Sequence, residues 1–134
     1  AIARMYGQQA GRYNITMSMG FVLLNIHAEG TPATKIAPLM GLEARSLTRL
    51  LKSMEEKGFI YRDADLSDKR MVRILLTPEG KQAREKAREV VLKFNETLLS
   101  SIPEQDIKVF FNLLKVITQR IEKNNIYEKI KEVN

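Results

Sequence analysis

At 134 residues the chain is long enough for one domain with a sizeable core and too short for two. Apolar residues make up 44% and charged residues 28%, which excludes wholesale disorder, and the formal net charge of +6 is compatible with an acidic partner such as nucleic acid. With no Cys and a single His, His27, the chain has no means to form disulfides, thiolate chemistry, a Cys-based zinc site or a multi-His metal centre, and no cofactor is expected.

No apolar run approaches the roughly 18 residues of a membrane span, and no charged n-region followed by an apolar h-region marks a secretory signal. The expectation is a soluble, cytoplasmic protein with no membrane partner. The chain starts at Ala1 rather than Met, so further residues are expected before it in the natural chain.

Residues 2–12 read as a helix, with Ile2, Met5, Tyr6 and Gln9 at helical spacing, weakened by Gly7 and Gly11. Asn14-Ile15-Thr16 suits a helix cap. An apolar helix follows, with Met17, Phe21, Leu24 and Ala28 on one face, and Gly30 ends it. Thr31-Pro32 reads as the opening of the next helix, because Pro fits the first helical position. That helix reaches Met40, and Pro38 is expected to end or distort it. Gly41-Leu42 is a tight turn. A strong helix runs from about residue 43 to 57 and is stopped by Gly58.

Residues 59–62 and 71–76 read as the strands of a hairpin joined by the polar loop 63–70. Thr77-Pro78 starts another helix, with Ala83, Ala87, Val90, Val91, Phe94 and Leu98 on one stripe. After a restart at 101–104, the last long helix bears Ile107, Phe110, Phe111, Leu114, Ile117 and Ile121. Asn124-Asn125 is a candidate break before a tail with Ile126, Tyr127, Ile130 and Val133.

The informative part is residues 31–77, which carry nine basic and six acidic groups. Helix, glycine turn, helix is a helix-turn-helix, and the added hairpin makes it a winged helix. At 100° per residue, Leu47, Leu50, Leu51 and Met54 fall on one face of the second helix, while Arg45, Arg49 and Lys52 share an arc of about 60° on the other. Ser46 and Thr48 flank that arc. A recognition helix needs this division, since one face anchors on the domain while the other enters a major groove about 12 Å wide. The competing reading is an ordinary amphipathic helix with a solvated charged face, and Glu43, Glu55 and Glu56 soften its basic character.

The hairpin adds Lys69 and Arg70 at its tip and Arg73 on the returning strand. An Arg at a hairpin tip can reach a narrow minor groove, where the potential is most negative. Asp68 would repel DNA if it faced it, so its expected part is to hold the Arg70 side chain or the turn backbone. Asp63, Asp65 and Asp68 lack the Gly and terminal Glu of a calcium loop and read as turn chemistry.

Residues 68–77, Asp-Lys-Arg-Met-Val-Arg-Ile-Leu-Leu-Thr, resemble the wing signature of the multiple-antibiotic-resistance regulator (MarR) family, Asp-x-Arg-x5-Leu-Thr, matched by Asp68, Arg70, Leu76 and Thr77. Leu47-Thr48-Arg49-Leu50, then Met54 to Ile60, resemble the family's recognition helix and first wing strand, and Gly80 also fits. The resemblance is sharpest over residues 33–80. It implies a mainly α (α+β) fold in which residues 1–30 and 78–134 form a helical dimerisation region around a winged helix-turn-helix at 31–77. It also implies an obligate homodimer on a pseudo-palindromic operator of double-stranded DNA. Arg45, Ser46, Thr48, Arg49 and Lys52 then lie at the major groove, Arg70 and Lys69 at the minor groove with Asp68 orienting the wing, and Thr34 and Lys35 at phosphate. A small phenolic compound or aromatic acid is implied as effector, bound between the dimerisation region and the winged domain.

Dimerisation also follows without resemblance. Half-sites lie about one DNA turn, roughly 34 Å, apart, and something must set that spacing. Phe110, Phe111, Leu114, Ile117 and Ile121, with Ile2, Met5 and Tyr6, offer more apolar surface than the small winged domain needs. An intrachain helical pair is the competing use.

His27 reads as a packed or hydrogen-bonded side chain, and the six Met residues as core fillers. Walker A, G-x-S-x-G and H-E-x-x-H patterns are absent, so an enzyme is not expected. The expected function is a dimeric sequence-specific transcriptional regulator, a repressor, whose DNA affinity a small molecule modulates. The alternatives are a winged-helix module for protein contact and a nonspecific polyanion or membrane-surface binder, the latter disfavoured because no helix has a strongly basic face with Trp anchors.

Overall fold

The structure, a computed structural model, describes residues 1–124; Asn125 and the tail residues Ile126, Tyr127, Ile130 and Val133 lie outside the described residues. The elements in chain order are α1 (Ile2–Gly11), α2 (Met17–Leu24), β1 (Thr31–Pro32), α3 (Ala33–Met40), α4 (Ala44–Glu56), β2 (Ile60–Ala64), β3 (Val72–Leu76), α5 (Pro78–Ser100) and α6 (Glu104–Asn124). The described residues fall into two units, residues 1–92 and those from 93 onward, divided within α5. The fold class is the expected one: mostly helical, with a small antiparallel sheet in a winged helix-turn-helix.

In the first unit, Thr16 lies in extended backbone and its hydroxyl accepts the Met19 N–H at 3.2 Å, so α2 starts at Met17 as expected. It stops at Leu24, however, well short of Gly30. The Asn25 side chain donates to Phe21 O at 2.8 Å. The following segment is folded by local bonds: the His27 N–H donates to the Thr31 hydroxyl oxygen (2.9 Å) and the Gly30 N–H to His27 O (3.0 Å). These bonds turn the chain into β1, leave Ala28 exposed and bury Ile26 in the core.

Thr31-Pro32 is therefore a strand and does not open a helix. It pairs antiparallel with β3, Thr31 opposite Ile74 and Pro32 opposite Arg73. The sheet order is β1-β3-β2, so Pro32 sits on an edge strand, where a residue without an N–H is tolerated. Pro32 keeps extended geometry (φ −57°, ψ 132°) and precedes α3 as its cap. Pro38 neither ends nor breaks α3, which continues to Met40 and closes on Gly41 at φ +60°. In so short a helix its ring removes one late hydrogen bond only.

The wing pairs β2 with β3 from Ile60 opposite Leu76 to Ala64 opposite Val72, so β2 runs two residues beyond the sequence expectation. The core gathers Leu23 and Val22 of α2, Ile36 of α3, Leu51 and Met54 of α4, and Ile60 and Ile74 of the sheet, all enclosed. The start of α5 is locked onto the wing's base. The Thr77 hydroxyl donates to Gly58 O and accepts the Gly80 N–H at 3.0 Å, and the Thr77 N–H donates to Phe59 O at 3.1 Å. Gly80 packs so close to the Phe59 carbonyl that a Cβ there would overlap it.

In the second unit, α6 carries Val109, Phe110, Phe111, Leu113, Leu114, Ile117 and Ile121 exposed. The Phe110 and Phe111 rings meet edge to face, centroids 5.6 Å apart. No residue of α6 with a described side chain is buried.

Candidate nucleic-acid interface

The two faces of α4 separate as the periodicity predicts. Leu47, Leu51 and Met54 are buried and Leu50 half-buried, while Arg45, Ser46, Thr48, Arg49 and Lys52 are exposed. The Thr48 hydroxyl donates to Ala44 O at 2.9 Å, which leaves its oxygen as an acceptor outward. Thr34 and Lys35 stand exposed in the first turn of α3. Glu55 is engaged by Arg62 of β2 at 3.3 Å, so this acidic neighbour of the cationic face is partly neutralised.

At the wing tip Lys69 and Arg70 are exposed. Among the described residues, no ion pair or hydrogen bond engages the side chains of Arg45, Arg49, Lys52, Lys69 or Arg70. Five cations are thus left to water, a state that a polyanion can replace at little desolvation cost. Asp68 does not hold the Arg70 side chain; its carboxylate accepts the Arg70 backbone N–H at 2.9 Å.

Asp65 and Arg73 have a stronger arrangement that the sequence did not expose. Asp65, 5% exposed, accepts the Ser67 hydroxyl, the Ser67 N–H (2.8 Å) and the Asp68 N–H (3.2 Å) through one oxygen. Its other oxygen takes Arg73 Nε at 2.8 Å and Nη2 at 2.7 Å. The bonds from Ser67 above all, then Arg73, hold this carboxyl well below the usual aspartate range. Arg73 Nη1 reaches Gly30 O at 2.9 Å. Arg73, grouped with the wing's basic residues by sequence, thus binds inside the protein. Asp65 and Asp68 serve the turn as expected, whereas Asp63 lies within β2 opposite Arg73 and accepts the adjacent Ala64 N–H at 2.8 Å.

A cavity of about 530 Å³ opens in the same unit among α1, α2, the α3–α4 turn and α5, lined by Tyr6, Tyr13, Met17, Ser18, Phe21, Leu24, Met40 and Val91 among others. None of its lining residues among those described is charged. Burial pushes the Tyr6 hydroxyl up from its ordinary value. The exposed Phe21 and Met17 on α2 are the trace of this cavity in the sequence, since they lie on an apolar face that the core leaves open.

Of the remaining candidates, Ile2, Phe110, Phe111, Leu114, Ile117 and Ile121 are exposed, while Met5 and Tyr6 are half-buried. His27 is exposed and lies outside the large cavity. No helix among the described residues is long and apolar enough to cross a membrane.

Residues 15–72 match the MarR family model. The HTH-type transcriptional regulator SarZ of Staphylococcus aureus (strain USA300) is 31% identical over 108 residues, covering 79% of this chain and 73% of SarZ. A structure of reduced AbfR bound to DNA is similar at a TM-score of 0.67 and 27% identity, covering 91% of this chain and 84% of AbfR. The S. aureus MepR–DNA complex shares the fold at a TM-score of 0.76 and 24% identity, over 88% of both chains. Motif, winged-helix geometry and relatives agree: the chain belongs to the MarR family of helix-turn-helix transcriptional regulators.

Proposed function

We propose that this protein is a homodimeric, sequence-specific DNA-binding regulator, acting as a repressor on a pseudo-palindromic operator and released by a small-molecule effector. The observation that carries the reading is the set of unpartnered cations at two places a duplex can meet: Arg45, Arg49 and Lys52 on the outer face of α4, and Lys69 and Arg70 at the wing tip. The relatives solved as DNA complexes, AbfR and MepR, support it.

In this reading Arg49 and Arg45 donate to guanine edges in the major groove, with Ser46 and Thr48 beside them. Lys52, Thr34 and Lys35 take phosphates, which position the helix without reading sequence. Arg70 enters the adjacent minor groove. The apolar residues of α6, with Ile2, Met5 and Tyr6, bury the two-chain interface that fixes the half-site spacing. The effector occupies the cavity beneath α2, and its release of DNA needs no more than the loss of one half-site, because specific binding exceeds nonspecific by about 4–10 kcal/mol.

The test is fluorescence anisotropy on the duplex upstream of the protein's own gene against a shuffled duplex, titrated with salt. The reading predicts a preference of about a hundredfold or more, with log K falling by about 0.9 per phosphate contact in log salt. No binding to either duplex at low salt would contradict it and favour a protein-contact module. Equal, steeply salt-dependent binding to both would leave only nonspecific polyanion binding.

A further inference from the structure

The wing-tip turn that carries Arg70 is not held by Arg70 itself. Its shape is set from inside by Asp65. One carboxylate oxygen gathers the Ser67 hydroxyl and the N–H groups of Ser67 and Asp68, and Asp68 in turn takes the Arg70 N–H. The other oxygen is gripped by two nitrogens of Arg73. The third guanidinium nitrogen leaves the wing and binds Gly30 O, with Glu29 O at 3.5 Å beside it. A single planar cation therefore ties the wing turn to the segment that leads from α2 into β1.

Gly30 supports this link independently. It sits at φ +87°, where glycine is favoured, and a Cβ there would lie 2.8 Å from Arg73 Cγ and 2.9 Å from Cδ. The backbone is thus open at the point where the Arg73 side chain passes. Lysine cannot reproduce the link, because an ammonium on a flexible stem lacks the fixed fork that faces a carboxylate and a carbonyl at once.

From this geometry we infer that Arg73 and Asp65 are positioning residues for DNA recognition: Arg73 acts as a clasp between the wing turn and the Gly30 segment, and sets where Arg70 meets the minor groove without touching DNA. The inference rests on the DNA-binding reading above. It separates Arg73 from its basic neighbours, since a phosphate contact would use its charge and a clasp uses its shape.

The test is a double-mutant cycle on operator affinity with Arg73→Lys and Arg70→Ala. Arg73→Lys keeps the charge but loses the fork, and the expected weakening is about tenfold, the scale of one charge-assisted hydrogen bond. In the Arg70→Ala background the same change should alter affinity by less than about twofold, because the residue it positions is already gone. Asp65→Asn should follow the same pattern. Full affinity in Arg73→Lys, or additive losses, would overturn the clasp and make Arg73 an independent contact.

Amide hydrogen exchange without DNA supplies a second readout. Exchange at Ser67, Asp68 and Arg70 should speed up by about tenfold in Arg73→Lys while the Leu51 amide of α4 stays protected. Unchanged wing exchange, or equal loss of protection in α4, would contradict local positioning. If the wild-type protein fails to prefer any duplex, the DNA reading falls, and the exchange experiment alone decides the clasp.

Discussion

Asp65 and Arg73 stand eight residues apart in a segment rich in both charges, and only the folded hairpin, whose register sets Asp63 opposite Arg73, brings their side chains together. Asp65 was legible as a turn residue from its neighbours Ser67 and Asp68, whereas its ion pair was not, because it depends on the strands being paired. The pair has a pH signature. A carboxyl held below its ordinary 3.8 contributes stability that is complete above that value and is lost as pH falls through its folded-state value. The urea midpoint of the wild type should therefore fall more steeply between about pH 5 and pH 2 than that of Asp65→Asn, which has no carboxyl to protonate there. Parallel curves would mean that the pair adds nothing to folding. At Gly80 the prediction is steric: Gly80→Ala drives a methyl into the Phe59 carbonyl, so it should cost about 3 kcal/mol and lower Tm by roughly 10 °C in a thermal scan.

Among the elements, α4 was the most readable because both of its faces follow from one local period. Leu47, Leu51 and Met54 are buried and Arg45, Arg49 and Lys52 are exposed, as a 3.6-residue repeat requires. Leu51→Ala should therefore destabilise by about 2–5 kcal/mol, read from the denaturant midpoint, while Lys52→Ala should leave folding within about 0.5 kcal/mol. β1 was misread for the opposite reason. Two residues carry no period, and Thr-Pro suits a helix start as well as an edge strand; only the pairing with Ile74 and Arg73, some forty positions away, distinguishes them. The early end of α2 has the same origin, since the bonds around Thr31 divert the chain after Leu24. At Thr77, local capping and a long-range bond coincide. Thr77→Val removes the cap at Gly80 and the link to Gly58, and should cost about 1–2 kcal/mol in the same assay.

For the whole molecule, each unit makes its own demand. The first closes a core around α2, α3, α4 and the sheet and keeps a cavity free of charged walls. Only the open apolar face of Met17 and Phe21 hinted at the cavity in the sequence, because its walls come from segments as far apart as Tyr6 and Val91. The second leaves the apolar residues of α6 to water, which isolated chains rarely tolerate over so long a face. Sedimentation at micromolar concentration should give about twice the chain mass of 15.4 kDa, and a monomer there would remove the basis for paired half-sites. Whether the outer face of α4 and the wing tip together read DNA is decided by comparing operator affinity in the wild type, Arg49→Ala and Arg70→Ala under matched salt. Each substitution should weaken binding by about 1–3 kcal/mol and reduce the preference over a shuffled duplex. Unchanged affinity in both variants would contradict the assignment of these residues to the DNA surface.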